Sequence, residues 1–308
     1  GYQWDPGYRA RRINYLLYVN DAITSGQMKQ FQADTFDTAA QSMLPHMIDA
    51  CRSQFEEGKL YARTLDMLAG WDFYTKIDKI APTIWWAWLD SFREQVWRDE
   101  WEAAGIELRQ ESWGFTDLNK WQPPLEVLER MVVEQPTSRW FDDVATVERE
   151  TLGDIAGKSF RHAIDTLIDR FGSEPEKWNW GRTNRLRIKH LSGNPVLSRG
   201  GQPLNGSDFA LSARGTGGEV TGGPSWRMVV DFGSIGPASG VYPGGQSGNP
   251  QSPHYDDLID DWVNDEYVPL YFYSHPDQFP ENEGENRLSL TAPADGEGLL
   301  IENAVESE

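Results

Sequence analysis

Cysteine is nearly absent. Cys51 is the only one in 308 residues, so no internal disulfide, CxxC pair or cysteine-based zinc site can form. Cys51 lies in "HMIDACRSQF", on the apolar side of a helical pattern, and reads as a buried filler rather than a nucleophile. Lysine is scarce as well: eight of the 28 basic residues, none beyond Lys189. Against 48 acidic residues the net charge is −20, which argues against nucleic acid as a partner, because phosphate recognition needs a basic footprint. An acid-rich, lysine-poor surface suits concentrated salt, where self-repulsion is screened. A halophilic source is one reading of this composition and an ordinary acidic protein is the other. No apolar run approaches a membrane span, and "GYQWDPGYRARR" lacks the hydrophobic region of a signal peptide. A targeting segment would therefore lie outside this sequence.

What is present marks a folded chain: 39% hydrophobic residues and 14 tryptophans. Residues 1–172 are expected to be mainly helical. "YRARRINYLLYVNDA" sets Ile13, Leu16, Leu17 and Asn20 on one side and arginines on the other. "DTFDTAAQSMLPHMIDACRSQF" opens on acids and continues as a Pro-bent amphipathic helix. "APTIWWAWLDSFREQVWRDEW" has Pro82 at its start and Ile84, Trp88, Phe92 and Trp101 near one stripe. "DDVATVERETLGDIAGKSFRHAIDTLIDRFG" reads as one further helical region ending at a C-cap, Gly172. Residues 173–293 change to strands, glycine-rich loops and a terminal helix, and 294–308 read as a solvated acidic tail. "SWRMVVDFG" alternates as a strand, with "DFALSARG" as its expected neighbour.

In "YPGGQSGNPQSPHYDDLIDDW", residues 242–262, a serine, a histidine and two aspartates crowd together. Capping explains them. Ser252 suits an N-cap, Pro253 the first helical position, and Asp256 and Asp257 the first turn. Tyr255, Leu258, Ile259, Trp262 and Val263 then share one buried face. The loop lacks the lysine of a phosphate loop, and "GGQSG" lacks the GxSxG spacing of a nucleophile elbow. Ser247 and His254 therefore read as structural residues. The acidic pairs Asp142–Asp143, Asp256–Asp257 and Asp260–Asp261 lack calcium-loop spacing and read as a solvated face.

The compound pattern "GPSWRMVVDFG" followed by "YPGGQSGNPQSPHYDDLIDDWVNDEYVPLYF" resembles the end of the β chain of penicillin acylase-type enzymes, including acyl-homoserine lactone acylases. "WDPGYRARRINYLL", "FQADTFDTAAQSMLP", "APTIWWAW" and "EKWNWGRTNRLRIKHL" resemble its other segments in order, with Asn184 where a histidine is usual. The resemblance covers nearly all of 2–292 and implies an α+β fold, part of the αββα sandwich of N-terminal-nucleophile hydrolases. Residues 1–293 would be the C-terminal portion of that β chain.

The resemblance also implies an activity, cleavage of an acyl group from an amide. A new N-terminal serine attacks, its own α-amine serves as base near neutral pH, and an asparagine with a backbone N–H holds the oxyanion. This chain begins with Gly1, so nucleophile and oxyanion donors are expected upstream and none in this chain. By its place in W-x-x-x-x-R-x-x-x-I, from Trp4 to Ile13, Arg9 matches the arginine that orders the site. Implied partners are the remaining part of the β chain, an α chain and a small acyl-amide substrate. No cofactor is required, no metal ligand is assigned here, and a structural calcium is conceivable only in the full enzyme. Its setting would be periplasmic or extracellular. Two other classes stay open: a non-catalytic scaffold relative, suggested by Gly1, and a carbohydrate-active protein, suggested by the tryptophans and carboxylates.

Overall fold

The computed structural model describes residues 5–105, 109–111, 115–117, 123–215, 218–233, 238–271, 289–291 and 300–302. Gly1 and Trp4 lie outside them, as does most of the acidic tail.

The chain opens as helices: α1 (Tyr8–Tyr18), α2 (Ser25–Gln32), α3 (Thr38–Cys51), α4 (Leu60–Ala69) and α5 (Ala81–Ala103). A hairpin of β1 (Arg109–Glu111) and β2 (Phe115–Asp117) follows, then α6 (Leu125–Glu134), α7 (Leu152–Phe171) and the single turn α8 (Trp180–Thr183). Helix α5 is the axis of the core. Pro82 in its first turn costs no hydrogen bond there, and Ala81 to Leu89 are buried all round. A helix apolar on every side must be enclosed. It packs on α7, where the Trp88 indole donates to the Ala156 carbonyl (3.2 Å) and to Ser159 Oγ (3.1 Å). Gly153 lets α7 meet α3, since a Cβ there would stand 2.6 Å from the Ala50 carbonyl oxygen. Cys51 is fully buried in this core, and burial pushes its thiol up to about 12, as befits a filler. Helix α7 ends at Gly172 with φ 88°, the expected cap.

The second part is built of short strands: β3 (Asn184–Ile188), β4 (Arg199–Pro203), β5 (Gly218–Val220), β6 (Arg227–Val229), β7 (Ala238–Val241), β8 (Val268–Leu270), β9 (Ser289–Thr291) and β10 (Leu300–Glu302), with helix α9 (Ile259–Val263) before β8. One three-stranded sheet has the order β4-β3-β5 and the other β6-β7-β8. Leu186, Leu204, Val220, Val241, Ile259 and Trp262 make a second, smaller core between them. The two parts are stitched by polar contacts: Ser207 Oγ to Asp37 (3.1 Å) and the Trp180 indole to the Gly206 carbonyl (3.0 Å).

Several expectations need correction. Residues 142–150 are not helical. Asp142 and Asp143 accept backbone N–H groups there, and Thr146 reaches Glu150, so a polar turn forms and α7 begins only at Leu152. "DFALSARG" is a run of turns; β7, not this segment, pairs with β6. The helix expected from Ser252 starts at Ile259 instead. Ser247, Asn249 and Ser252 each accept an N–H two residues on, and these local turns outcompete helix. Gly245 is what the loop requires: a Cβ there would stand 2.2 Å from the His254 carbonyl oxygen. Ile259 and Trp262 are buried as expected. Within the acidic tail, Leu300–Glu302 pairs with β9.

Two elements bury a guanidinium and leave apolar side chains open. On α1 the buried residues are Tyr8 and Arg12, while Ile13 and Leu17 are open. On β6 Arg227 is buried, while Met228 and the following Val230 and Phe232 face outward. Ion pairing explains the arrangement: each buried guanidinium has a carboxylate waiting inside.

Candidate functional site

Three arginines leave α1, and the structure separates them. The helix is entered through Gly7, at φ 77°, whose N–H donates to Asp5 Oδ1 (3.0 Å). Arg11 forks onto Glu129 of α6 (2.8 and 2.7 Å) and lies over the Tyr8 ring. Arg12 forks onto Asp34 (3.2 and 2.7 Å), donates to the Tyr74 hydroxyl and stacks on Phe36. Both are committed to holding α1 in place. Arg9 is free of the core. Its side chain is 44% exposed and, among the described residues, pairs with Asp5 one turn back (2.5 Å). That contact holds the Asp5 carboxyl below its ordinary range.

Arg9 lines a cleft of about 770 Å³ between α1, α2 and β6. Ile13, Leu17, Met28, Phe31, Trp226 and Met228 make its apolar wall. A concave apolar surface with one guanidinium at the rim can hold an apolar group while presenting positive charge to a carbonyl or carboxylate. Behind the wall, Arg227 and Arg214 share Asp265, and both donate to the Trp262 carbonyl at the end of α9. Burial lowers Arg214 to about 10, and Asp265 opposes that shift. Asp265 is itself held at φ 61°, so the cluster fixes an uncommon backbone conformation.

Other candidate groups do not assemble a reaction centre. His254 Nδ1 contacts Asp257 (2.8 Å) on the exposed surface, and the oxygens of Ser247 and Ser252 accept backbone N–H groups. The Ser91–His162 contact (3.0 Å) had no sequence signature, because α5 and α7 are brought together only by folding. Ser91 is fully buried, so no substrate reaches it. Asp37 is a further residue the sequence did not mark. It caps α3 through Ala40 N–H (2.9 Å), is fully buried, and burial raises it to about 6. The acidic pairs are engaged by Arg199, His254, Gln202 and Lys158. No cluster of three or more His, Cys, Asp or Glu side chains that could hold a metal ion occurs among the described residues. Asn184 is buried and donates to the Leu204 carbonyl (3.2 Å), a structural role at the head of β3. Trp85, Trp88, Trp178, Trp180 and Trp262 are fully buried and fill cores rather than offering a stacking surface.

The sequence profile of the penicillin amidase family matches residues 1–277. The chain belongs to that family. An acyl-homoserine lactone acylase QuiP of Pseudomonas fluorescens Pf0-1 is 35% identical over 159 residues, covering 50% of this chain and 19% of that protein. Penicillin acylase 2 proenzyme of Pseudomonas sp. SE83 is 25% identical over 282 residues, covering 87% of this chain and 33% of that protein. The chain thus spans about a fifth to a third of these relatives' length. Among solved structures, a thermostable penicillin G acylase from Alcaligenes faecalis aligns with a TM-score of 0.53 at 18% identity, covering 87% of this chain and 50% of that one. The α+β fold is therefore that of part of a penicillin acylase.

Proposed function

We propose that this chain is the C-terminal portion of an N-terminal-nucleophile acylase that cleaves an acyl group from an amide. The serine nucleophile, its α-amine base and the oxyanion donors belong to polypeptide beyond this chain. The observation that carries the reading is the family match over 1–277, joined to an apolar cleft with Arg9 at its rim. Arg9 is the arginine of α1 left available, since Arg11 and Arg12 are held by Glu129 and Asp34. In the mechanism Arg9 is an orienting charge. Its guanidinium is a planar donor fork on the first turn of α1, and Asp5, just before that helix, pairs with it. Placed beside an attacking N-terminal serine, it stabilises negative charge developing on the carbonyl oxygen and holds ordered water near the α-amine.

Two measurements test this. Protein from the native source, denatured and analysed by intact mass and N-terminal sequencing, is expected to yield a longer chain beginning with serine and ending in this sequence. Residues 1–308 alone are expected to hydrolyse no chromogenic acyl amide. Turnover by the isolated chain, or a native chain of only these residues, overturns the assignment.

A further inference from the structure

The acidic character of this chain has one long interruption. From Lys177 to Ser207 stand six basic residues, Lys177, Arg182, Arg185, Arg187, Lys189 and Arg199, and no aspartate or glutamate, although the chain has 48 acids. Three of the six share one face. Arg185 and Arg187 alternate with the buried Leu186 on β3, and Lys189 continues the period just past its end. Opposite Arg187 on β4 stands Gly200, with Gly201 next, so that strand raises no side chain beside the guanidinium. Lys177 is paired with Glu174 and Arg199 with Asp256. Arg185 donates to the Gly201 carbonyl, and Glu219 of β5 lies across from it without closing an ion pair. Arg185, Arg187 and Lys189 make no ion pair among the described residues.

The same strand runs into an apolar tip. In the loop 190–198, between β3 and β4, Leu191 is fully exposed and Val196 is 79% exposed. The loop is held in shape by its own polar groups. Gly193 turns at φ 73°, His190 Nδ1 accepts the Ser192 N–H (3.1 Å), and Asn194 Oδ1 accepts the Val196 N–H (3.0 Å). Ser198 Oγ accepts the His190 N–H (3.2 Å), and the Tyr255 hydroxyl donates to the Leu197 carbonyl (2.7 Å). Val147 is as open as Leu191, but its neighbours are Asp142, Asp143, Glu148 and Glu150. An acidic peptide or a nucleic acid would pair with the basic face and leave Leu191 in water. A lipid surface bearing phosphates answers both features, because headgroups meet the cations and the interface takes up apolar side chains. At physiological ionic strength charge is screened over ~8 Å, so the tip feels its own residues more than the remote acids. No described helix is long and apolar enough to cross a membrane, so the contact is peripheral.

We infer that the loop 190–198 and the outer face of β3 dock the protein on an anionic lipid surface. Leu191 and Val196 enter the interface, and Arg185, Arg187 and Lys189 meet headgroup phosphates. Neither the acyl-transfer chemistry nor the cleft at Arg9 enters this inference, and its readouts are independent of turnover.

The full-length protein carrying this chain is sedimented with vesicles of equimolar phosphatidylglycerol and phosphatidylcholine, or of phosphatidylcholine alone. At ~0.15 M salt it is expected to bind the anionic vesicles at least ~10-fold more tightly, and to leave them at ~1 M. The double variant Arg185→Glu/Lys189→Glu is expected to lose at least ~10-fold in affinity. Leu191→Ser is expected to lose about 10-fold. All three positions are exposed, so melting temperature and circular dichroism are expected to hold. Val147→Glu is the control and leaves binding unchanged. Leu191→Trp is expected to add fluorescence that brominated phosphatidylglycerol quenches, and Val147→Trp is not. Equal binding to both vesicles, full binding by the double variant, or no quenching at Leu191→Trp overturns the inference. Release by millimolar inorganic phosphate at constant ionic strength, without quenching at Leu191→Trp, would assign the basic face to a free oxyanion instead. Retention on single-stranded DNA without vesicle binding would assign it to nucleic acid, and either result overturns the lipid docking.

Discussion

Removing the Arg12 guanidinium leaves the Asp34 carboxylate in a nearly closed site, with both side chains about 10% exposed. Arg12→Ala is therefore expected to cost about 3–5 kcal/mol, read from denaturant unfolding. Arg9→Ala removes an exposed pair and is expected to change stability by less than about 0.5 kcal/mol. In the whole enzyme the same Arg9 change is expected to lower kcat by about 10²–10³-fold, with Arg9→Lys recovering only part. Unchanged kcat would remove Arg9 from the site. At Asp37 burial raises the carboxyl from 3.8 to about 6, so the folded state holds that proton more tightly than the unfolded chain. The contribution is fully present below pH ~4 and is lost as pH rises through about 6, a span on the order of 2–3 kcal/mol. Asp37→Asn keeps an acceptor for the Ala40 N–H. Its stability difference from the parent chain should vanish towards pH 4 and favour the variant above pH 6. A difference independent of pH would show that Asp37 does not titrate there.

At the scale of elements, local chemistry was legible where it acts over four residues and was lost where folding redirected it. Helix α7 starts with a capping box between Thr151 and Asp154, and Thr151→Ala is expected to cost about 1 kcal/mol in thermal unfolding. The Ser252–Pro253 start was equally plausible on local rules, yet α9 begins seven residues later. Side-chain turns at Ser247, Asn249 and Ser252 hold the backbone before it, and Gly245 packs closely on the His254 backbone. Gly245→Ala should destabilise this loop and raise protease cleavage at 244–256, whereas Gly248→Ala, with open space around it, should not. Periodicity found α1 and β6 and their two sides but not which side looks inward. Hydrophobic rank places Ile13 and Met228 inside, and only the positions of Asp34 and Asp265 show that Arg12 and Arg227 go there.

For the whole molecule, the charge of −20 stands against a surface with few lysines to offset it. Self-repulsion over that surface is screened as the Debye length falls from ~30 Å at 0.01 M salt to ~3 Å at 1 M. The melting temperature is expected to rise across that range, and indifference to salt would set aside both self-repulsion and a halophilic origin. The same scale governs activity. The chain covers a fifth to a third of its relatives' length, so a readout of activity belongs to the whole enzyme.

The sequence by itself determined the helical first part, the core aromatics, the buried cysteine and the family, because each rests on residue type, short-range period or ordered motifs. Through the resemblance to that family it also named Arg9 as the expected site arginine. Tertiary structure alone decided which arginines are bound, which face of α1 and β6 looks inward, and that Arg9 meets Trp226 and Met228 across one cleft. Those outcomes depend on carboxylates 22 to 118 residues away along the chain. No local rule reaches that far, and the pairing energy of a buried ion is large enough to overturn the ordinary preference for apolar residues inside.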